Sequence, residues 1–145
     1  MAGIIRQALS NGAASNRFGW SVSVSFDTAV IGASWDNDKG YTGQASGSAY
    51  LFTRDVVDGV VSSSWTQRAK LVAADGAAHD EFGRNVSICN NTVVAGAWGN
   101  DAKGAAYVFT RDVAGDSSSG WTQRQGLVDN AELATSSSEL ETLVS

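Results

Sequence analysis

The sequence predicts an all-β protein of the propeller type, built from two four-stranded antiparallel blades. Three observations point there. Four segments recur along the chain in the same order, each alternates apolar with small or polar residues at a period of two, and Gly, Asn, Asp and Ser punctuate the gaps. No helical periodicity competes with this pattern before residue 130.

The first segment, Phe18-Gly19-Trp20-Ser21-Val22-Ser23-Val24, returns as Phe82-Gly83-Arg84-Asn85-Val86-Ser87-Ile88 at an offset of 64 residues. Phe18, Trp20, Val22 and Val24 alternate with small residues, as a half-buried strand requires. The second segment, Thr28-Ala29-Val30-Ile31-Gly32-Ala33, returns at the same offset as Thr92-Val93-Val94-Ala95-Gly96-Ala97, after tight turns at Phe26-Asp27 and Asn90-Asn91. The third, from Gly47 to Asp55, returns from Gly104 to Asp112 at an offset of 57, with Tyr50 and Phe52 opposing Ala49 and Leu51. In the fourth, Trp65, Gln67, Ala69 and Leu71 are expected on the face opposite Thr66, Arg68 and Lys70; its Trp-Thr-Gln-Arg start returns at residues 121–124.

At the start, Arg6-Gln7-Ala8-Leu9 with Asn11-Gly12 resembles a shortened copy of Arg68-Ala69-Lys70-Leu71 with Asp75-Gly76. The expected organisation is therefore the last strand of a preceding blade and a connector over 1–17, blade 1 over 18–72, a connector over 73–81 and blade 2 over 82–128. Residues 129–145 read as a Ser/Glu/Leu tail, disordered or at most one short helix capped by Ser138 and Glu141.

Composition narrows the function. A net charge of −5 offers no basic footprint for nucleic acid, and no apolar run approaches the roughly 20 residues of a membrane span. One cysteine, Cys89, forbids an intrachain disulfide; it is expected as a small buried hydrophobe. The opening residues 1–6 are too short and polar for a signal peptide, so localisation stays open.

The run Phe18-Gly19 … Val30-Ile31-Gly32-Ala33, repeated as Phe82-Gly83 … Val94-Ala95-Gly96-Ala97, resembles the FG-GAP repeat of integrin-alpha-like propellers. Ala49-Tyr50-Leu51-Phe52 with Trp65-Thr66-Gln67 is closest to the subclass without the calcium loop. The resemblance implies a β-propeller, usually of six or seven blades, serving adhesion or ligand binding at cell surfaces. Ser34 and Trp98 stand where the signature has proline, and the Ser25-Phe26-Asp27 and Cys89-Asn90-Asn91 turns are too short to wrap calcium.

Two blades leave two faces uncovered, so self-association or a longer parent chain is expected; three copies would give six blades, with the strand at residues 6–9 of one copy completing a sheet of the next. No cofactor is expected. Asp36 and Asp38, in Asp36-Asn37-Asp38-Lys39-Gly40, are the positions a calcium ion would take, but the loop lacks a third acidic ligand and reads first as a polar turn.

Trp35 and Trp98 end the second strands in loops, and with Trp20, Asp36 and Asp101 they form the candidate ligand-binding set, indole faces for sugar rings and carboxylates for hydroxyls. Packing at the blade edges is the competing explanation for these aromatics. Trp65 and Trp121 recur at matching positions and read as structural. His79 lies in a connector with no nucleophile elbow to serve, and Asn85 and Asn90 fit the glycosylation pattern only weakly. The sequence thus favours a non-enzymatic binding, adhesion or scaffold module for a protein or glycan partner. A lectin using the Trp35 and Trp98 loops is the alternative.

Overall fold

The computed structural model describes residue 9 and residues 12–37 and 44–129. The strand expected at residues 6–9, Leu9 apart, and the tail beyond residue 129 lie outside these residues. Strands β1 (Phe18–Ser25), β2 (Thr28–Ala33), β3 (Ser48–Val57) and β4 (Val60–Leu71) form one antiparallel sheet in that order. Strands β5 (Phe82–Cys89), β6 (Thr92–Ala97), β7 (Ala105–Arg111) and β8 (Trp121–Val128) form a second sheet of the same order. A 3-10 turn at Asn100–Ala102 is the only helical element among the described residues. The chain is all-β, two four-stranded blades, as the repeat predicts.

The core lies between the blades. Val30, Leu51 and Leu71 of the first sheet pack on Phe82, Ile88, Val93, Tyr107 and Phe109 of the second, all nearly inaccessible to solvent. Alternation explains why: the residues between them face the other way. A smaller cluster of Ala33, Tyr50 and Phe52, with Leu9, Ile31 and Trp65 against it, occupies the opposite face of the first sheet.

Two bulges revise the strict alternation expected from sequence. Phe18 pairs with Ala33 but Ser21 with Gly32, so Gly19 (φ +91°) and Trp20 are extra, and Trp20 leaves the regular pairing that Val22 and Val24 keep. The same shift separates Phe82 from Asn85. In β4, Phe52 pairs with Gln67 but Leu51 with Ala69, which leaves Arg68 unpaired and places Lys70, opposite Tyr50, on the Trp65 and Gln67 face. Ala69 and Leu71 turn to the other. Arg124 is the equivalent extra residue in β8. Each bulged arginine donates through Nε to a strand threonine, Arg68 to Thr53 (2.7 Å) and Arg124 to Thr110 (2.6 Å).

Polar contacts fix one blade on the other. Ser21 Oγ donates to the Gly83 carbonyl (2.9 Å), while the amides of Ile88 and Asn90 donate to Ser23 Oγ (3.2 Å) and Ser25 Oγ (3.0 Å). Arg111, buried, reaches across with Nη2 to Thr28 Oγ1 (2.7 Å). The backbones meet so closely that a Cβ on Gly32 would stand 1.9 Å from the Gly83 oxygen. Glycine is required there.

Candidate functional site

Three of the five tryptophans gather at one end of the two blades, where β1 and β5 begin and β2 and β6 end. They are linked by arginines. The Arg17 guanidinium lies 3.4 Å from the centre of the Trp35 ring and 5.0 Å from that of Trp20. Arg84 lies 5.7 Å from Trp20 and 4.6 Å from Trp98. The order Trp35–Arg17–Trp20–Arg84–Trp98 makes one strip across both blades, with cations on aromatic faces throughout. Glu81 anchors its far end, accepting from Arg84 Nη1 and from Trp98 Nε1 (2.9 Å). Trp20, Trp35 and Trp98 remain 51%, 39% and 60% exposed. A depression of about 190 Å³ beside Trp35 is lined by Ser15, Asn16 and Asn37.

The structure therefore brings Trp20, Trp35 and Trp98 together. Sequence reasoning missed Arg17, Arg84 and Glu81, although the signal was present. Arg17-Phe18-Gly19-Trp20 aligns with Glu81-Phe82-Gly83-Arg84, so charged and aromatic residues flank the Phe-Gly pair at fixed positions.

Asp36 does not join the strip. Its carboxylate is buried, accepting from Asn16 Nδ2 (3.1 Å) and from the Tyr50 hydroxyl, with Lys70 Nζ at 2.8 Å. Burial alone would raise its pKa, but the hydrogen bonds from Lys70 and Tyr50 and the Lys70 charge prevail and hold it below the ordinary carboxyl value. Burial, reinforced by the Asp36 carboxylate, pushes the Tyr50 hydroxyl up to about 12. With those partners, Asp36 works as a latch between the segment leading into β1 and the segment leaving β2. Its geometry is an account of the polar turn expected from sequence, with the carboxylate turned inward.

Asp38, the other residue considered for calcium, lies outside the described residues. Asp101 is exposed in the 3-10 turn with φ +46°. No group of three or more His, Cys, Asp or Glu side chains arranged to hold a metal occurs among the described residues. Trp65 and Trp121 each carry an arginine, Arg54 at 5.1 Å and Arg111 at 5.0 Å, in matching places on the two sheets. His79 is exposed, at φ +68°. Cys89 is exposed at the end of β5, not buried as expected, because it falls on the face of blade 2 turned away from blade 1. At the opposite end of the sheets a cleft of about 370 Å³ opens between the Phe26-Asp27 and Asn90-Asn91 turns, with Arg111 in its wall. No helix among the described residues is long and apolar enough to cross a membrane.

Paired four-stranded antiparallel blades in the same strand order define a repeat-built protein of the propeller type. The FG-GAP repeat model matches residues 8–52 and again residues 65–109, and the chain belongs to the FG-GAP repeat family. The second match begins at Trp65 in β4 and ends at Phe109 in β7, so the family's unit straddles the junction between two blades. FG-GAP repeats are generally found in adhesion and binding proteins. Comparison with the curated proteins finds no match.

Proposed function

We propose that the protein is a non-enzymatic binding and adhesion module that uses the Trp35–Arg17–Trp20–Arg84–Trp98 strip to grip a partner protein. The observation that carries this reading is the strip itself: exposed tryptophans ordered by arginines on strand ends of a rigid sheet pair. Tryptophan and arginine dominate the energetics of protein contacts because each buries a large rigid surface while retaining hydrogen-bond donors. Side chains already stacked on one another lose little rotamer freedom on binding. Guanidinium edges in such a stack favour an acidic partner segment.

The exposure of Trp98, with its indole N–H tied to Glu81, favours a second reading as a lectin, the ring free to stack on a sugar face. Tryptophan fluorescence during titration with poly-glutamate, beside a glycan array, separates the two. The protein reading expects saturable quenching by poly-glutamate, lost in Arg17→Ala and Trp98→Ala. Glycan binding lost in Trp35→Ala and Trp98→Ala, without a poly-glutamate response, would replace it with the lectin. Silence in both assays would remove the strip as a binding surface.

A further inference from the structure

The contacts that join blade 1 to blade 2 have unmade counterparts on the outer faces of the same two blades. We propose that these faces bind each other between copies of the chain, head to tail, so that blade 2 of one copy receives blade 1 of the next. The proposal stands apart from the tryptophan strip.

At the made interface Arg111 of blade 2 bonds Thr28 of blade 1. The residue equivalent to Arg111 in blade 1 is Arg54. It has the same backbone bond to the β1–β2 turn (2.8 Å to Asp27 O, against 2.9 Å from Arg111 to Asn91 O) and the same stacking on its tryptophan. The equivalent of Thr28, at the 64-residue offset, is Thr92. Arg54 and Thr92 are both exposed, whereas Arg111 and Thr28 are buried. Likewise Ser23, which accepts from the Ile88 amide, recurs as exposed Ser87, and Ile88 recurs as Val24, 65% exposed on the outer face of blade 1 beside the part that Leu9 covers. Donor and acceptor of each missing bond are present on one chain, on opposite flanks. A second copy therefore fits this surface.

Gly96 argues the same point independently. It is the counterpart of Gly32, whose missing Cβ makes room for the Gly83 carbonyl of the neighbouring blade. Gly96 has no left-handed φ to explain it, and a Cβ there would meet nothing closer than 3.9 Å. Among the described residues nothing demands glycine at this strand position, where glycine weakens a sheet. A blade approaching as blade 2 approaches blade 1 would bring its Gly19 carbonyl against Gly96. Such a contact joins two different faces, so it is heterologous, and repeated about an axis whose rotation closes it makes a ring.

The full chain in light scattering should have a mass that is a multiple of 15.1 kDa. The contact has a covalent signature. Cys89 is the counterpart of Ser25, whose Oγ meets the Asn90 amide, and the counterpart of Asn90 is Phe26, 84% exposed. Phe26→Cys should give a disulfide-linked series of oligomers on a non-reducing gel, and Phe26→Cys with Cys89→Ser should not. Gly96→Val and Arg54→Ala should each weaken association at least tenfold while the far-ultraviolet circular dichroism of the dilute protein stays unchanged. A monomer at high micromolar concentration, equal cross-linking with and without Cys89, or unaltered association in Gly96→Val would each overturn the proposal.

Discussion

Asn100 donates through Nδ2 to the carboxylate of Asp80 across 3.0 Å, both residues buried, where β6 ends and β5 is about to begin. The equivalent pair in blade 1, at the 64-residue offset, is Asn16 and Asp36, with amide and acid exchanged. In both blades a tyrosine closes the node: the Tyr50 hydroxyl donates to Asp36, and Asn100 Nδ2 also reaches the Tyr107 hydroxyl (3.3 Å). The site requires one amide and one carboxylate, and either order supplies a donor facing an acceptor.

That exchange predicts a rescue. Asp80→Asn alone sets two amides against each other, and Asn100→Asp alone buries two carboxylates together. Each should cost about 1–3 kcal/mol in urea denaturation. The double variant restores the pairing seen in blade 1 and should recover more than half of the summed loss. Simple additivity of the two losses would sink the idea that the pair acts as a unit.

The glycines give a second contrast. Gly83 has φ +82°, and a Cβ there would lie 2.2 Å from the Ser48 carbonyl; at Gly32 the clash is with Gly83. Alanine at either position should lower stability by more than about 4 kcal/mol or prevent folding. Gly96→Ala, with open space around it, should stay within about 0.5 kcal/mol of the parent in thermal melts of dilute protein.

Arg111 and Arg54 are repeat equivalents in different environments. Arg111→Ala removes a charged hydrogen bond to buried Thr28 and should cost about 1.5–3 kcal/mol at an unchanged denaturant slope. Arg54→Ala, at an exposed position, should cost about 0.5 kcal/mol or less in the dilute protein. Equal losses would show that the bond to Thr28 adds no stability.

Titration of the blade 1 node should appear in the pH dependence of stability. The Asp36 carboxyl is held below its ordinary 3.8, so the unfolded chain takes up that proton first as pH falls. Its stabilisation is complete above the ordinary value and drains away as pH falls below 3.8, and Asp36→Asn should flatten that acid limb. Tyr50 has the opposite sense. Its folded value of about 12 exceeds the ordinary 10.0, so its contribution holds below pH 10.0 and is lost as pH rises towards 12. Tyr50→Phe should remove part of the alkaline loss. Tyr107 adds a loss of the same sense, because burial and then Asp75 push its hydroxyl up as well. Urea midpoints across the pH range measure both limbs.

The repeat made the eight strands and their two-blade grouping legible, because period-two alternation and recurring turn residues are local properties of the chain. Local reading also found Trp20, Trp35 and Trp98 as a set. It erred where a residue's partner is distant in sequence. Asp36 read first as part of a polar turn in the loop, and local reading could not see that its acceptor capacity goes to Asn16, Tyr50 and Lys70. Trp20 read as a regular strand residue until the bulge at Gly19 took it out of the pairing.

The amino-acid order by itself determined which segments extend, where they turn and that they repeat, since backbone preference and side-chain alternation act within a few residues. Only the tertiary structure decided which of two equivalent residues is buried. Thr28 is covered and Thr92 is wet, Arg111 is clamped and Arg54 is not, although each pair arises from the same motif. The physical reason is that burial depends on a neighbouring blade, and among the described residues Thr28 and Arg111 meet one while Thr92 and Arg54 do not.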